Sequence, residues 1–205
     1  MKFLQLLCLA GALASALTAD SIIYDNIDES SSGSDGVDFV GPLDNSFTSG
    51  AAGQITSLQL MLSGDDTSLG AVDMGLYADN STAPGELIAV LGILDDSALS
   101  DTPAIYDITL TAYPLLTDDT LYWVGLSGTT TAQWSYDYDD SGIGVADEFF
   151  ANQIGVFSND NDPYQMSVTE GTAAVPEPSS GPLIATGAAL LVLLRRPARK
   201  SAADS

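Results

Sequence analysis

The sequence predicts an all-β fold, an antiparallel β-sandwich of jelly-roll type over residues 20–170, and three observations predict it. Apolar and polar residues alternate at a period of two in several short runs, which puts one side of an extended segment in a core and the other in water. Clusters of Gly, Asp, Asn and Ser separate these runs at regular intervals. No long segment carries the apolar spacing of an amphipathic helix, and no internal repeat points to a propeller or solenoid.

Taken in order, the first strands are expected at residues 22–24 and 37–40. Leu58, Leu60 and Leu62 then alternate with Gln59 and Met61, and Ser63-Gly64-Asp65-Asp66 ends the run. Val72, Met74 and Leu76 alternate with Asp73 and Gly75; Asp79-Asn80-Ser81 turns the chain into an apolar run at 87–94, which Asp95-Asp96-Ser97 closes. Tyr106, Ile108 and Leu110 alternate with Asp107 and Thr109, and Thr117-Asp118-Asp119 precedes strands at 121–126 and 133–138. Two more are expected at 154–157 and 164–168, on either side of Asn159-Asp160-Asn161-Asp162-Pro163.

The two ends of the chain carry a different message. Residues 1–19 read as a secretory signal peptide: Met1-Lys2, an apolar run at 3–13 too short to span a membrane, and small residues that allow cleavage after Ala16 or Ala19. The lone cysteine, Cys8, leaves with it, so the mature chain has no disulfide. At the other end a linker at 171–182 contains Pro176-Glu177-Pro178, a short apolar transmembrane helix is expected at 183–194, and a basic tail follows at 195–205. The apolar stretch covers only about 18 Å as a helix, which suits a transient anchor better than a permanent one. Lys2, Arg195, Arg196, Arg199 and Lys200 are all five Lys and Arg of the chain. Basic residues just after an apolar segment hold that end in the cytoplasm, so the body is expected on the far side of the membrane.

This ordered tail, Pro-Glu-Pro then apolar helix then basic cluster, resembles the PEP-CTERM sorting signal; Ser201 to Ser205 extend beyond the usual basic end. The resemblance implies an exosortase-type sorting enzyme as partner and cleavage near Pro176, Glu177 and Pro178. It also implies transient inner-membrane association, then delivery to the cell surface or extracellular matrix of a Gram-negative producer of exopolysaccharide. The body is similar to the choice-of-anchor domains of bacterial surfaces, through Gly75-Leu76-Tyr77-Ala78-Asp79 with Pro84-Gly85, Tyr122-Trp123-Val124-Gly125-Leu126, Trp134 with Ser141-Gly142-Ile143-Gly144, and Pro163-Tyr164-Gln165-Met166. That similarity implies a sandwich and no activity.

Composition excludes much chemistry. Of the 28 acids, all but Glu177 and Asp204 lie in the body, which contains no Lys, Arg or His. Each must be solvated, bonded to amides or hydroxyls, or bound to a cation, and burial of many is excluded. Such a body repels nucleic acid and anionic lipid. Without His or mature Cys, the common zinc sites, Cys nucleophiles and Ser-His-Asp triads are absent; without Lys, so are Schiff bases. Carboxylate pairs, the machinery of glycoside hydrolases, remain.

Two groups of residues invite a site. Asp137, Asp139, Ser141, Gly142 and Glu148 stand at positions one, three, five, six and twelve of a calcium-loop pattern, although Gly144 replaces the usual aliphatic residue and no helix precedes the loop. Either this is a calcium site in a sandwich loop or an acidic, solvated loop; Asp160 and Asp162 are a lesser candidate. Trp134, Tyr136 and Tyr138 share one strand face, which either stacks on sugar rings or belongs to the core. The expected function is a non-enzymatic matrix or adhesion protein that binds calcium or polysaccharide, with a carboxylate-based carbohydrate-active enzyme as the alternative.

Overall fold

The computed structural model describes residues 20–171 apart from Glu29, Ser68, Asp140 and the side chain of Val40. The signal peptide expected at 1–19, the Pro176-Glu177-Pro178 motif, the helix expected at 183–194 and the basic residues after it lie outside the described residues. Among the described residues, no helix is long and apolar enough to cross a membrane.

The body is all-β and consists of two antiparallel sheets. The first contains β1 (Ser21–Asp25), β2 (Gly33–Gly36), β4 (Gly53–Ser63), β7 (Ala104–Asp107), β8 (Leu115–Leu116), β10 (Gln133–Tyr136) and β13 (Met166–Gly171). Its order is β1-β13-β4-β10-β2, with β7 and β8 also on β4, so the first strand of the body pairs with the last. The second contains β3 (Leu43–Thr48), β5 (Ala71–Asp79), β6 (Pro84–Asp95), β9 (Leu121–Ser127), β11 (Phe149–Asn152) and β12 (Gly155–Ser158), in the order β12-β11-β3-β9-β5-β6.

The alternating runs do what their period requires. Leu58, Leu60 and Leu62 of β4 and Val72, Met74 and Leu76 of β5 all enter one core, which takes side chains from both sheets. Burying a side chain of this size contributes roughly 1.5–3 kcal/mol, so the two sheets are held face to face chiefly by this layer. Tyr122, Val124 and Leu126 of β9 point into the same core. Trp123 points the other way and is also fully buried, with its indole N–H donating to Asp79 Oδ1 at 3.0 Å.

Two expectations need correction. Residues 37–40 form a four-residue helix, α1 (Val37–Val40), rather than a strand; Gly36, in extended conformation, ends β2 just before it, and Gly41 follows in extended conformation. The alternating run Tyr106-Ile108-Leu110 is a strand only as far as Asp107: the Ile108 N–H still bonds to the Leu58 carbonyl of β4 at 2.9 Å, but by Thr111 the N–H bonds instead to the Leu91 carbonyl at 2.7 Å.

The polyanionic composition shows in how buried acids are satisfied. Asp96 accepts the Thr131 amide at 2.8 Å and the hydroxyls of Thr130 and Thr131, and Glu170 accepts the Gly50 amide at 2.9 Å. Glu148 accepts the hydroxyls of Thr48 at 2.6 Å and Ser46 at 3.0 Å. Amides and hydroxyls replace the missing cations, as a buried carboxylate requires. Asp44 is a different case: it faces outward from β3 against Gly125, with only 6% of its surface exposed, and desolvation pushes its pKa up to about 7.

Candidate functional site

Two concavities lie near the end of β10, one lined by the segment that follows it and the other by Tyr136. The first, of about 270 Å³, is lined by Asp25, Asp28, Asp137, Asp139 and Ser141 together with residues 26, 27, 142 and 143. It forms because the 137–143 loop folds back on the end of β1: Asp25 and Ile143 exchange both backbone hydrogen bonds at 2.9 Å. Glycine is needed at this crossing. Gly142 and Gly144 have φ of +142° and +68°, and a Cβ at either would collide with the carbonyl of Asp25 or Ile23. The sixth-position glycine of the calcium-loop pattern therefore has a packing role here.

The structure thus brings Asp137, Asp139 and Ser141 into one cavity and leaves Glu148 out of it. Glu148 is buried, bonded to Ser46 and Thr48 of β3, and desolvation raises its pKa. In its place the cavity has Asp25 and Asp28 from the far end of the sequence. Much of this carboxylate capacity serves the loop itself: Asp137 Oδ1 accepts the Ser32 hydroxyl at 2.6 Å, and Asp139 Oδ1 accepts the Ser141 amide at 2.8 Å. That last bond is the main reason the Asp139 pKa lies below its ordinary value. Asp28 Oδ1 accepts the Ser30 amide at 2.6 Å and the Gln165 side-chain amide at 3.3 Å. Among the described residues, no three carboxylates converge as the ligands of one ion.

The second concavity, of about 340 Å³, opens at the mouth between the sheets. One wall comes from Asp35 of β2 and Tyr136 of β10; the other comes from Phe150 and Asn152 of β11 and Phe157 of β12, with Ile154, Asn161 and Asp162 at the rim. Tyr136 lies over its cross-strand partner Gly33, where any Cβ would strike the ring. A glycine opposite an aromatic ring is a recurrent way of seating that ring on a sheet. Desolvation is the first cause of the raised Tyr136 pKa, followed by Tyr138 and the carboxylates of Asp35 and Asp162.

Behind this cleft the aromatic residues form a continuous series. Trp134 stacks on Tyr164 with centroids 4.9 Å apart, Phe150 meets Tyr164 edge-on at 5.5 Å, and Phe150 stacks on Phe157 at 5.2 Å. The Tyr164 hydroxyl donates to Asp35 Oδ2 at 2.7 Å, which fixes one carboxylate in the cleft wall. Burial, that bond and the Asp35 charge all push the Tyr164 pKa upward, so the phenol stays a donor.

The aromatic trio of the sequence is therefore divided by depth. Trp134 is fully buried and is part of the core, so it presents no stacking face; Tyr136 lines the cleft; Tyr138 is 66% exposed, its ring 5.9 Å from that of Tyr136. Asp162 also lines the cleft, whereas Asp160 remains on the surface. Sequence reasoning missed Asp35, Asn152 and Phe157. The strands of Asp35 and Asn152 are four residues long, too short to show a period, and Phe157 falls in the strand expected at 154–157 without any signal that its ring would line a cleft.

Chemically, the cleft offers flat apolar rings beside amide and carboxylate groups and no positive side chain. That combination suits a polyhydroxylated ring, whose C–H face packs on aromatics while its hydroxyls exchange hydrogen bonds. Comparison with models of known families, with characterised proteins and with solved structures finds nothing that matches this chain.

Proposed function

We propose that this protein is a non-enzymatic component of the cell surface or extracellular matrix, sorted there by an exosortase-type enzyme, whose body binds polysaccharide in the cleft between its sheets. The observation that carries this reading is the seating of Tyr136 and Phe157 across from each other with Asp35, Asn152 and Asp162 between sheet ends. The confinement of all Lys and Arg to the ends of the chain supports export, since it leaves the body a polyanion that an ion-rich exterior screens. The jelly-roll type belongs to the same proposal: the pairing of β1 with β13, and the repeated crossing of the chain between sheets, support it.

Calcium has less direct support than saccharide. Asp137, Asp139 and Ser141, with Asp25 and Asp28, would hold the ion and tie the 137–143 loop to β1; oxygen donors in one cavity favour this, and their lack of convergence limits it.

The enzymatic alternative has one observation in its favour, that Asp35 and Asp162 share a cleft. Glycoside hydrolysis needs a carboxylic acid kept protonated beside the bond. Asp44 and Glu148, whose carboxyls burial pushes upward, lie outside this cleft. The binding reading is therefore the better fit. A glycan array probed with the purified protein tests it: retention of neutral or amino-sugar oligomers is expected, and an array without retained glycans would remove it. Release of reducing ends from a retained oligomer would replace it with the enzyme.

A further inference from the structure

Which saccharide the cleft accepts follows from its charge, on the basis of the polysaccharide reading above. Asp35 and Asp162 line the cleft together with Tyr136, and both carboxylates act on its hydroxyl. Tyr164 engages Asp35 through Oδ2, and among the described residues no donor bonds to Oδ1 of Asp35 or to Asp162. No Lys, Arg or His exists anywhere in the described body to neutralise them. An incoming uronate or sulfate would thus be desolvated against two carboxylates, which costs free energy with nothing to offset it. A neutral sugar would stack on the rings and leave the carboxylates to water. A sugar carrying an ammonium group would stack and also supply the missing counter-charge, as a charge-assisted hydrogen bond.

We infer that the Asp35–Tyr136–Asp162 cleft is an amino-sugar subsite, selective for a hexosamine with a free, protonated amine over its N-acetylated or uronic acid counterparts. Tyr136 and Phe157 stack the ring; Asp162, at the rim, pairs with the ammonium; Asp35, held by Tyr164, accepts from a hydroxyl or from the same ammonium. The matching polymer is a partly de-N-acetylated hexosamine chain.

The protein is a strong polyanion, so any polycation will be attracted to it, and the test must separate a site from that general attraction. Isothermal titration of the full chain at mildly acid pH with three short ligands does so: the glucosamine disaccharide, its N,N′-diacetyl form, and a uronic acid disaccharide. The amine form is expected to bind at least about tenfold tighter than the diacetyl form, equivalent to about 1.4 kcal/mol, and the uronate not measurably. Asp162→Asn should bring the amine-to-acetyl ratio close to one while the diacetyl form still binds. Glu86→Gln, which removes one charge from β6 at the opposite edge of the second sheet, should leave the ratio unchanged. Equal binding of amine and acetyl forms would overturn the amino-sugar inference and leave the saccharide cleft intact. Equal losses in Asp162→Asn and Glu86→Gln would reduce it to non-specific attraction, and binding of neither sugar would remove the cleft reading as well.

Discussion

The ring of Trp134 lies on that of Tyr164, centroids 4.9 Å apart and planes 16° from parallel, and its indole N–H donates to the Gln165 carbonyl at 2.9 Å. One side chain thus links β10 to the start of β13 by dispersion and by a directed bond. Tyr164 passes the constraint on to Asp35 in the cleft. Trp134→Phe should cost about 1–3 kcal/mol, through the lost bond and reduced volume, and Trp134→Ala about 3–5 kcal/mol. Urea unfolding monitored by circular dichroism reads both, and a loss below half of the lower figure would contradict the core role assigned to Trp134.

Asp44 gives the fold a pH dependence of definite sign. Its folded pKa of about 7 lies above the ordinary carboxylate value of 3.8, so the folded state holds the proton more tightly than the unfolded chain. Its contribution is complete below the unfolded pKa and is lost as pH rises through the window up to about 7, by an amount on the order of 4 kcal/mol. Glu148 shifts in the same direction, with its two hydroxyl donors opposing the effect of burial. Denaturant midpoints measured from pH 5 to pH 8 should fall for the natural protein and fall clearly less for Asp44→Asn. Parallel curves would show that Asp44 is ionised in the folded state.

How far the sequence could be read depended on which faces of a strand are apolar. The strands β4, β5 and β9 were legible because Leu58, Leu60, Leu62, Val72, Met74, Leu76 and Val124 alternate against polar or opposite-facing neighbours. The central strand β3 was not, since Asp44, Asn45 and Ser46 are all buried and hydropathy does not alternate along it. The core function of Asn45 comes from hydrogen bonding: its Oδ1 accepts the Tyr164 amide at 3.2 Å. The same limit applies to the candidate sites. Asp137, Asp139 and Ser141 were local enough to be read as one loop, whereas their neighbours Asp25 and Asp28 come from the chain's other end and are linked by tertiary pairing alone.

The exclusion of Glu148 from the acidic cavity makes calcium binding testable against the loop pattern. Millimolar calcium should raise the melting temperature over chelator in the natural protein, and Asp137→Asn with Asp139→Asn should abolish the rise. Glu148→Gln should lower stability by about 1 kcal/mol with or without the ion, through weakened bonds to Ser46 and Thr48, yet keep the calcium response. Loss of the response in Glu148→Gln would restore the twelve-position loop; no response in the natural protein would remove the site.

The sorting proposal concerns residues outside the described body and is tested in cells. Replacing Pro176, Glu177 and Pro178 with alanine should leave the tail uncleaved and the protein held at the membrane, read as a larger species in the membrane fraction by immunoblot. Normal processing of that variant would contradict assignment to an exosortase-type enzyme.

Saccharide binding at the mouth between the two sheets can be mapped residue by residue. Amide chemical shifts of the isotopically labelled protein, followed during titration with the N-acetylglucosamine trisaccharide, provide that map. Perturbations are expected to concentrate at Tyr136, Asn152, Phe157 and Asp162 and to be lost in Tyr136→Ala; shifts centred elsewhere, or none at millimolar ligand, would rule out saccharide binding in this cleft.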